Sequence, residues 1–277
     1  MTASFDLDAY LRRIGHSGPV APDLATLQAL VFGHACAIPF ENLDPLLGRA
    51  PRLDPDSLQR KLVAGGRGGY CFEQNLLLRL ALRAIGFRVT AHAARVLWGQ
   101  PEDHVGARSH ALLRVDLDDG PRIVDVGFGG QTLTGVLRLE PGIEQPTPHE
   151  PFRLLPAGGG FTLQTRVGEE WRSMYRFDLQ EQWPVDYEAS NWYLATHPAS
   201  HFVTGLTVAR SQPGSRHALG DANYAVHRLT GGTERRTLAD VDEMKAVLAE
   251  VFGLALPESP ELDRALARAV AASATPR

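Results

Sequence analysis

Cysteine is scarce in this chain, because its 277 residues include only two, Cys36 and Cys71. Two cysteines exclude a disulfide framework and a metal site built from several thiolates. An excess of positive charge is also absent. The formal net charge of −4 gives no electrostatic attraction to nucleic acid or to an anionic membrane surface. The ten histidines show no metal-ligand spacing with cysteine or carboxylate, so the sequence predicts no metal site.

Long hydrophobic runs are missing as well. The apolar stretches are far shorter than a membrane-spanning helix. The first residues, MTASFDLDAY, lack the basic segment followed by an apolar segment that marks a secretory signal. We therefore expect a cytoplasmic protein with reduced thiols. The hydrophobic fraction of 44% and the charged fraction of 22% are typical of a globular chain, and they do not indicate an oligomeric state.

Three patterns follow one another along the chain. Apolar residues at helical spacing fill the first third, including a helix that Asp23 begins and one from Cys71 to Gly86. From residue 87, apolar and β-branched residues alternate between turn-formers, which predicts an antiparallel sheet or small barrel. The last third mixes strand patterns, such as FVTGLTVAR, with helices beginning near Asp240 and Pro260. We expect an α+β protein with a helical unit (1–86), a β unit (87–187) and a mixed unit (188–277).

The stretch RGGYCFEQN, residues 67–75, places a cysteine directly after two glycines, at the start of a predicted helix. The amino terminus of a helix favours a thiolate through its free N–H groups and its dipole. Gly68 and Gly69 would let the backbone turn sharply and leave the sulfur accessible. Cys71 is therefore either a nucleophile or a buried structural thiol.

A nucleophilic cysteine needs a base and a group that orients the base. His110 begins a predicted strand and is a candidate for the base. Asp125 lies in the middle of the predicted strand 122–128, where an ionised side chain is costly to bury without a partner. Accidental combinations of these residue types are common, so the spacing alone leaves a structural role open for each residue.

Five motifs together resemble the arylamine N-acetyltransferases, in the order and spacing of that family and over nearly the whole chain. They are IPFENLDPLLG (38–48), RGGYCFEQN (67–75), SHALLRV (109–115), VDVGFGGQ (124–131) and THPASHFVTGLT (196–207). The resemblance implies a helical bundle, a central antiparallel β-barrel and an α/β lid around a cysteine-protease-like catalytic core. It also implies that Cys71, His110 and Asp125 form a catalytic triad.

The resemblance further implies a two-step reaction. Cys71 would take the acetyl group of acetyl-CoA as a thioester and pass it to the nitrogen of an arylamine or arylhydrazine. His110 would accept the thiol proton, Asp125 would orient the ring, and backbone N–H groups, including that of Cys71, would stabilise the oxyanion. Acetyl-CoA and the amine are then the expected small-molecule partners.

The same resemblance implies further contacts. CoA would lie near Ser109, Gly129, Gly130 and Phe202, although by itself the sequence GFGG (127–130) is equally typical of a plain turn. An acceptor pocket would be lined by Phe40, Val96, Phe128 and Phe202, each of which is also consistent with ordinary core packing.

The resemblance also implies a cluster of charged residues. Arg13, Glu41 and Arg67 would form an ion-pair cluster that holds the loop before Cys71, whereas a solvated surface position is the alternative for Arg13. These residues would orient the loop and take no part in the chemistry.

Three other functions remain open at this point. One is an amide synthase that closes a macrolactam from a carrier-protein thioester. Another is a thiol hydrolase that uses the same triad, although the signatures of papain-like proteases and transglutaminases are not apparent. The third is a silent binding module, which gives no chemical reason for retaining Cys71, His110 and Asp125 together.

Overall fold

The computed structural model describes residues 5–274. Two of its helices, Pro55–Leu58 and Val241–Ala246, continue as the π-helical segments Gln59–Ala64 and Val247–Val251. The helices are α1 (Leu7–Arg13), α2 (Leu24–Ala37), α3 (Leu43–Leu46), α4 (Pro55–Leu58), α5 (Cys71–Ile85), α6 (Asp186–Thr196), α7 (His201–Thr204), α8 (Val241–Ala246) and α9 (Pro260–Ala274). The strands are β1 (Phe40–Glu41), β2 (Arg88–Val96), β3 (Arg108–Leu117), β4 (Gly120–Val124), β5 (Leu137–Arg138), β6 (Glu144–Gln145), β7 (Phe152–Ala157), β8 (Gly160–Val167), β9 (Glu170–Gln182), β10 (Thr207–Gln212), β11 (Ser215–Gly220), β12 (Asn223–Arg228) and β13 (Thr233–Thr237).

The helix boundaries follow the capping signals of the sequence. Asp23 accepts a hydrogen bond from the N–H of Thr26, and Asp240 accepts one from the N–H of Glu243. Gly86 ends α5 with φ +106°, a left-handed conformation that favours glycine. The predicted helices beginning after Asp23, at Cys71, after Asp240 and at Pro260 are therefore confirmed. Among the described residues, no helix is both long enough and apolar enough to cross a membrane.

The eight strands β2 to β9 form an antiparallel barrel in the order β5-β4-β3-β2-β9-β8-β7-β6. Its interior holds a buried apolar cluster that includes Leu112, Phe152 and Tyr175. The two end strands are joined by the side chain of Gln145, which bonds both the N–H and the C=O of Arg138. A side-chain amide thus replaces backbone pairing where the barrel closes.

The third unit contains a five-stranded sheet in the order β1-β10-β11-β12-β13. Its first strand, Phe40–Glu41, comes from the helical part of the chain and pairs antiparallel with Ala209 and Val208. The third unit also has its own buried apolar cluster, which includes Met244, Phe252 and Leu262 from the last part of the chain. The predicted α+β architecture of bundle, antiparallel barrel and α/β lid is confirmed.

Two strand predictions are wrong in detail. The predicted strand 122–128 ends at Val124, because the N–H of Gly127 bonds the Asp125 carboxylate and the chain leaves the sheet there. Phe202 to Thr204 of the predicted strand FVTGLTVAR lie in the short helix α7 and not in a strand. Ser200 caps this helix by accepting the N–H of Phe202, and this local hydrogen bond outweighs the β preference of the following residues.

A buried arginine connects the third unit to loops of the barrel. The side chain of Arg216 in β11 is 1% exposed. Its Nε donates to Glu150 Oε2 at 2.8 Å, and its Nη1 donates to the Thr132 carbonyl oxygen at 2.9 Å and to Ser211 Oγ at 3.0 Å. Because Thr132 follows the glycine-rich loop 127–130, Arg216 also holds that loop against the third unit.

We expect Arg216→Met to lower the free energy of unfolding by about 3 kcal/mol, because it removes the hydrogen bonds of a buried cation and leaves the partly buried Glu150 carboxylate without its partner. The measurement is urea unfolding at pH 7.5. Adding Glu150→Gln should recover part of this loss, since the unpaired charge is then removed.

The control is Arg228→Met, which breaks the exposed ion pair with Glu234 on the neighbouring strands. It should change the unfolding free energy by less than about 1 kcal/mol. Equal losses for Arg216→Met and Arg228→Met would contradict a special role for the buried arginine.

Candidate active site

Cys71 is the first residue of α5 and is 4% exposed. Its Sγ lies 3.6 Å from the carbonyl oxygen of Ser109, to which the thiol donates. The N–H groups of the first helical turn have no acceptor within the helix, so they favour negative charge at this position. Glu73, two residues on, accepts the N–H of Tyr70 at 3.2 Å and fixes the entry into the helix.

His110 and Asp125 form a buried ion pair next to this cysteine. The His110 Nε2 atom lies 2.6 Å from Asp125 Oδ2, and both side chains are at most 4% exposed. The second carboxylate oxygen of Asp125 accepts hydrogen bonds from Asn75 Nδ2 and from the N–H of Gly127, each at 2.9 Å. A buried carboxylate is stabilised when it is paired and hydrogen-bonded in this way.

The pKa values of the pair move in opposite directions. Burial alone lowers the pKa of His110, but the charge of Asp125, its hydrogen bond and a hydrogen bond with Cys71 raise it to about 10. Burial raises the pKa of Asp125, but the charge of His110 and hydrogen bonds from Asn75 and Gly127 lower it below its ordinary value. The imidazolium–carboxylate pair therefore persists across neutral pH.

Three distant segments bring these side chains together: the start of α5, strand β3 and the loop after β4. Because Nε2 of His110 bonds Asp125, the other ring nitrogen, Nδ1, is the one left for Cys71. The position of Asp125 differs from the sequence prediction, since it follows the strand and does not lie within it.

Gly127 is the point of closest approach between the loop and the helix. A Cβ atom on residue 127 would lie 2.7 Å from Cys71 Cα and 2.7 Å from Asn75 Nδ2. Any larger residue would push the Asp125 loop away from α5. The sequence interpretation of GFGG concerned a ligand and missed this packing role.

The remaining glycines of the loop are placed differently. Gly129 is buried with φ +83°, and a Cβ there would lie 3.6 Å from the Phe40 ring. Gly130 is exposed, and a Cβ there would meet no atom within 4 Å. Ser109 is half-buried and directly precedes His110. Gly130 and Ser109 are therefore accessible to solvent, whereas Gly129 is not.

The aromatic residues predicted for the pocket form two groups. Phe40 and Phe202 lie together, with ring centroids 5.9 Å apart, and Phe202 also contacts Tyr70 at 5.6 Å. Phe128 belongs to the second group, with its ring centroid 5.2 Å from that of His110. Val96, half-exposed on β2, is opposite Tyr175 in the register of the barrel.

Three residues of the site were missed in the sequence. Asn75 bonds Asp125 and lies one helical turn after Cys71, so its i+4 spacing was an available signal. The Tyr175 ring packs against that of His110 at 4.9 Å between centroids, but its strand is distant in sequence and gave no signal. Asn42 donates to the carbonyl oxygens of Phe202 and Gly205 and so holds the segment that carries Phe202.

The loop before Cys71 packs tightly against the first strand of the third unit. A Cβ on Gly68 would lie 2.1 Å from the carbonyl oxygen of Pro39, so no larger residue fits. The Gly69 carbonyl oxygen accepts the N–H of Glu41 at 3.1 Å. Gly68 and Gly69 have no left-handed conformation. Their main use is therefore close packing. The prediction that they leave the sulfur accessible is wrong, because Cys71 is 4% exposed.

A buried charged cluster supports this loop. Arg67 Nη2 lies 2.7 Å from Glu41 Oε1, as the resemblance implies. Lys61 adds contacts to Asp44 Oδ2 at 2.6 Å and to Glu73 Oε1 at 2.7 Å, which the sequence did not predict. Burial and the nearby Glu41 raise the pKa of Glu73, Lys61 opposes them, and the net value is about 7.

Arg13 does not belong to that ion-pair cluster, so this part of the prediction is wrong. Its Nε donates to the carbonyl oxygen of Leu62 at 3.0 Å, and its Nη1 donates to that of Ala37 at 2.9 Å. Both carbonyls lie near helix ends, where acceptors lack a partner within the helix and attract a cation. A contact of Arg13 with the Arg67 carbonyl oxygen, at 3.4 Å, still connects it to the loop.

Within residues 5–274, no group of three or more histidine, cysteine, aspartate or glutamate side chains is arranged to hold a metal ion. The second cysteine, Cys36, is separate from the site. Burial raises the pKa of its thiol to about 11, despite the opposing charges of Arg210 and Arg216.

We expect Lys61→Met to lower the free energy of unfolding by about 3 kcal/mol at pH 8, because two buried carboxylates, Glu41 and Glu73, and the partly buried Asp44 are then left with Arg67 alone. The loss should be smaller at pH 5. Glu73, whose folded pKa of about 7 lies above its ordinary value, is protonated at pH 5 and no longer repels Glu41 and Asp44.

The matched control is Lys245→Met, since Lys245 pairs with Asp263 at the surface. Urea unfolding of this variant should differ from the wild type by less than about 1 kcal/mol at both pH values. A loss at Lys61 that is identical at pH 5 and pH 8 would contradict the role assigned to Glu73.

Comparison with known proteins places this geometry in a family. The sequence model of the N-acetyltransferase family matches residues 23–260. The chain is 45% identical to an arylamine N-acetyltransferase of Mycobacterium tuberculosis, over 98% of this chain and 99% of that protein. It is 43% identical to one from Escherichia coli, over 91% and 90%.

A solved structure of Mycobacterium marinum arylamine N-acetyltransferase in complex with CoA superposes with a TM-score of 0.92 at 41% identity. The match covers 95% of this chain and 99% of that one. Since both sequence and fold agree over nearly the full length, the chain belongs to the arylamine N-acetyltransferase family.

Proposed function

We propose that this protein transfers the acetyl group of acetyl-CoA to arylamines and arylhydrazines through an acetyl thioester on Cys71. The observation that carries the proposal is the buried Asp125–His110 pair beside a cysteine at the start of a helix. Membership of a family named for arylamine acetylation and a related structure in complex with CoA support this choice of substrates.

In the starting state the proton of the Cys71 thiol is held on Nδ1 of His110, as a thiolate–imidazolium pair, and in the first half-reaction the thiolate attacks the acetyl carbonyl carbon. The new bond to Cys71 forms as the bond to the CoA sulfur breaks, and His110 returns the proton to the departing thiolate. Asp125 holds the ring through Nε2 and stabilises its positive charge. Backbone N–H groups at the start of α5, including that of Cys71, are proposed to stabilise the oxyanion.

In the second half-reaction the amine nitrogen attacks the thioester on Cys71. His110 accepts a proton from the nitrogen, and the Cys71 thiolate leaves, which restores the starting state. Because donor and acceptor react in turn at the same sulfur, the kinetics are ping-pong. Water must be kept from the thioester, and the 4% exposure of Cys71 is suited to this.

We assign the contacts with the two substrates from the same arrangement. Ser109, Gly129, Gly130 and Phe202 are proposed to contact CoA. Phe40, Val96, Phe128 and Phe202 are proposed to form the pocket for the flat aromatic ring of the amine. The contact of Phe40 with Phe202 and the contact of Phe128 with His110 support this assignment.

We further propose that each of the three units of the chain supplies a different part of the site. The unit 1–86 supplies the nucleophile Cys71. The unit 87–187 supplies the base His110 and the orienting carboxylate of Asp125, and the unit 188–277 supplies Phe202 of the substrate pocket. The charged groups Arg13, Glu41 and Arg67 are assigned to positioning and not to chemistry.

Acetyl-CoA without an amine should leave one acetyl group on the protein, observed as an increase in intact mass and located on Cys71 by peptide mapping. Cys71→Ser should remove the thioester, because the weaker hydroxyl nucleophile is not activated by the same pair. Cys36→Ser is the matched control and should react like the wild type, since burial raises the pKa of Cys36 to about 11.

One outcome of this experiment would contradict the proposed acetyl transfer. Release of CoA at the full rate without an amine, and without an acetyl group on Cys71, would instead indicate a thiol hydrolase.

Asp125→Asn tests the charge of the pair. Without the carboxylate, burial dominates and the pKa of His110 should fall from about 10 to below the ordinary value of about 6.5. At pH 7.5 the ring is then neutral, and acetylation of Cys71 should slow at least tenfold, about the effect of one pKa unit. The pKa is measured by NMR titration of the imidazole nitrogens.

The control for that variant is Asp116→Asn, which changes a partly exposed aspartate on the same strand as His110. It should leave both the His110 titration and the acetylation rate unchanged. A His110 pKa near 10 in Asp125→Asn would show that another group maintains the charge.

A further inference from the structure

Three arginine side chains lie next to one another across three neighbouring strands of the barrel. Arg95 of β2 is directly opposite Arg108 of β3 on one side and Arg176 of β9 on the other. Directly opposed residues of antiparallel strands have Cβ atoms about 5 Å apart, so like charges in these positions repel each other. We call these three residues the arginine ladder.

The arginine ladder lies on the outer face of the barrel. Ala94, Tyr175 and Phe177 alternate with ladder residues along β2 and β9, and they belong to the buried interior of the barrel. Successive residues of a strand point to opposite faces, so Arg95 and Arg176 point away from that interior. The pairing of β2 with β3 shifts by one residue between Ala94 and Arg95, and Arg108 therefore lines the same outer cavity as the other two arginines. Tyr175 packs on the ring of His110, and the sheet therefore separates the ladder from the proposed catalytic pair.

The positive charge of the ladder is only partly neutralised. Arg108 forms a two-pronged ion pair with Asp178. Arg95 and Arg176 donate to backbone carbonyl oxygens. In the part of the chain that the structure describes, neither of these two arginines forms an ion pair with a carboxylate. Two positive charges thus remain side by side on the barrel surface.

The ladder also borders a cavity and carries a donor without an acceptor. The cavity has a volume of about 160 Å³ and is lined by all three arginines, by Asp178 and by the glycine-rich turn around 157–160. Nε of Arg176 is buried and has no hydrogen-bond partner among residues 5–274. A buried donor without a partner is costly.

From this arrangement we propose a second binding site, for the phosphate group of a small phosphomonoester or for inorganic phosphate. Guanidinium groups bind phosphate oxygens in pairs, with strong charge-assisted hydrogen bonds. Asp178 neutralises Arg108, and the two charges that remain match those of a phosphomonoester near neutral pH, about −1.5 to −2. The site is independent of acetyl transfer at Cys71.

Inorganic phosphate is the probe. Calorimetric titration at constant ionic strength, with protein saturated with CoA, should detect one phosphate bound per chain. Phosphate should also raise the melting temperature relative to the same ionic strength of chloride, because a ligand of the folded state stabilises it. Saturation with CoA excludes binding of phosphate at the CoA site.

The double variant Arg95→Gln, Arg176→Gln tests the ladder itself. It should weaken phosphate binding at least tenfold, about the effect of losing one charge-assisted hydrogen bond. Its urea unfolding should remain cooperative, which separates loss of binding from loss of folding. Arg172→Gln is the matched control, because Arg172 also lies on β9 but is exposed and paired with Glu170.

Three results would overturn the proposal. One is the absence of phosphate binding to the CoA-saturated wild type. Another is equal affinity in the double variant and in Arg172→Gln. The third is phosphate binding that CoA abolishes in competition, since the ladder would then hold a phosphate of CoA and not an independent ligand.

Discussion

The candidate site depends on the ion pair between His110 and Asp125, whose atoms lie 2.6 Å apart in the protein interior. A buried charge is unfavourable unless it is paired and hydrogen-bonded, and here the carboxylate has a second set of donors in Asn75 and Gly127. These contacts keep the imidazole charged at neutral pH and direct its free nitrogen toward Cys71. The proposed thioester chemistry requires that charge, because the thiolate is the reactive form of cysteine.

Close backbone packing makes this ion pair possible. The loop that carries Asp125 touches the start of α5 at Gly127, where a Cβ atom would overlap Cys71. On the other side, Gly68 lets the loop before Cys71 pack against Pro39. The ion pairs of Lys61 with Asp44 and Glu73 also hold that loop in place. The glycines therefore determine how closely three distant segments approach, and the charges keep them in place.

Much of the fold and part of the site could be predicted from local patterns. The caps at Asp23 and Asp240 and the helix beginning at Cys71 followed from nearby residues, and the structure confirms them. The position of Asp125 after its strand could not be predicted, because a long-range hydrogen-bond network decides where the strand ends. The partners of Arg13 were predicted wrongly, since carbonyl groups at helix ends leave no pattern in a sequence.

The sequence by itself determined the helical and strand segments, the candidate nucleophile at a helix start and, through five ordered motifs, the family. Only the tertiary structure decided which residues meet. It placed Asn75 and Tyr175 at the catalytic pair and set Arg95 between Arg108 and Arg176. The physical reason is that capping and periodicity act over a few residues, whereas strand register and loop packing join residues that are distant along the chain.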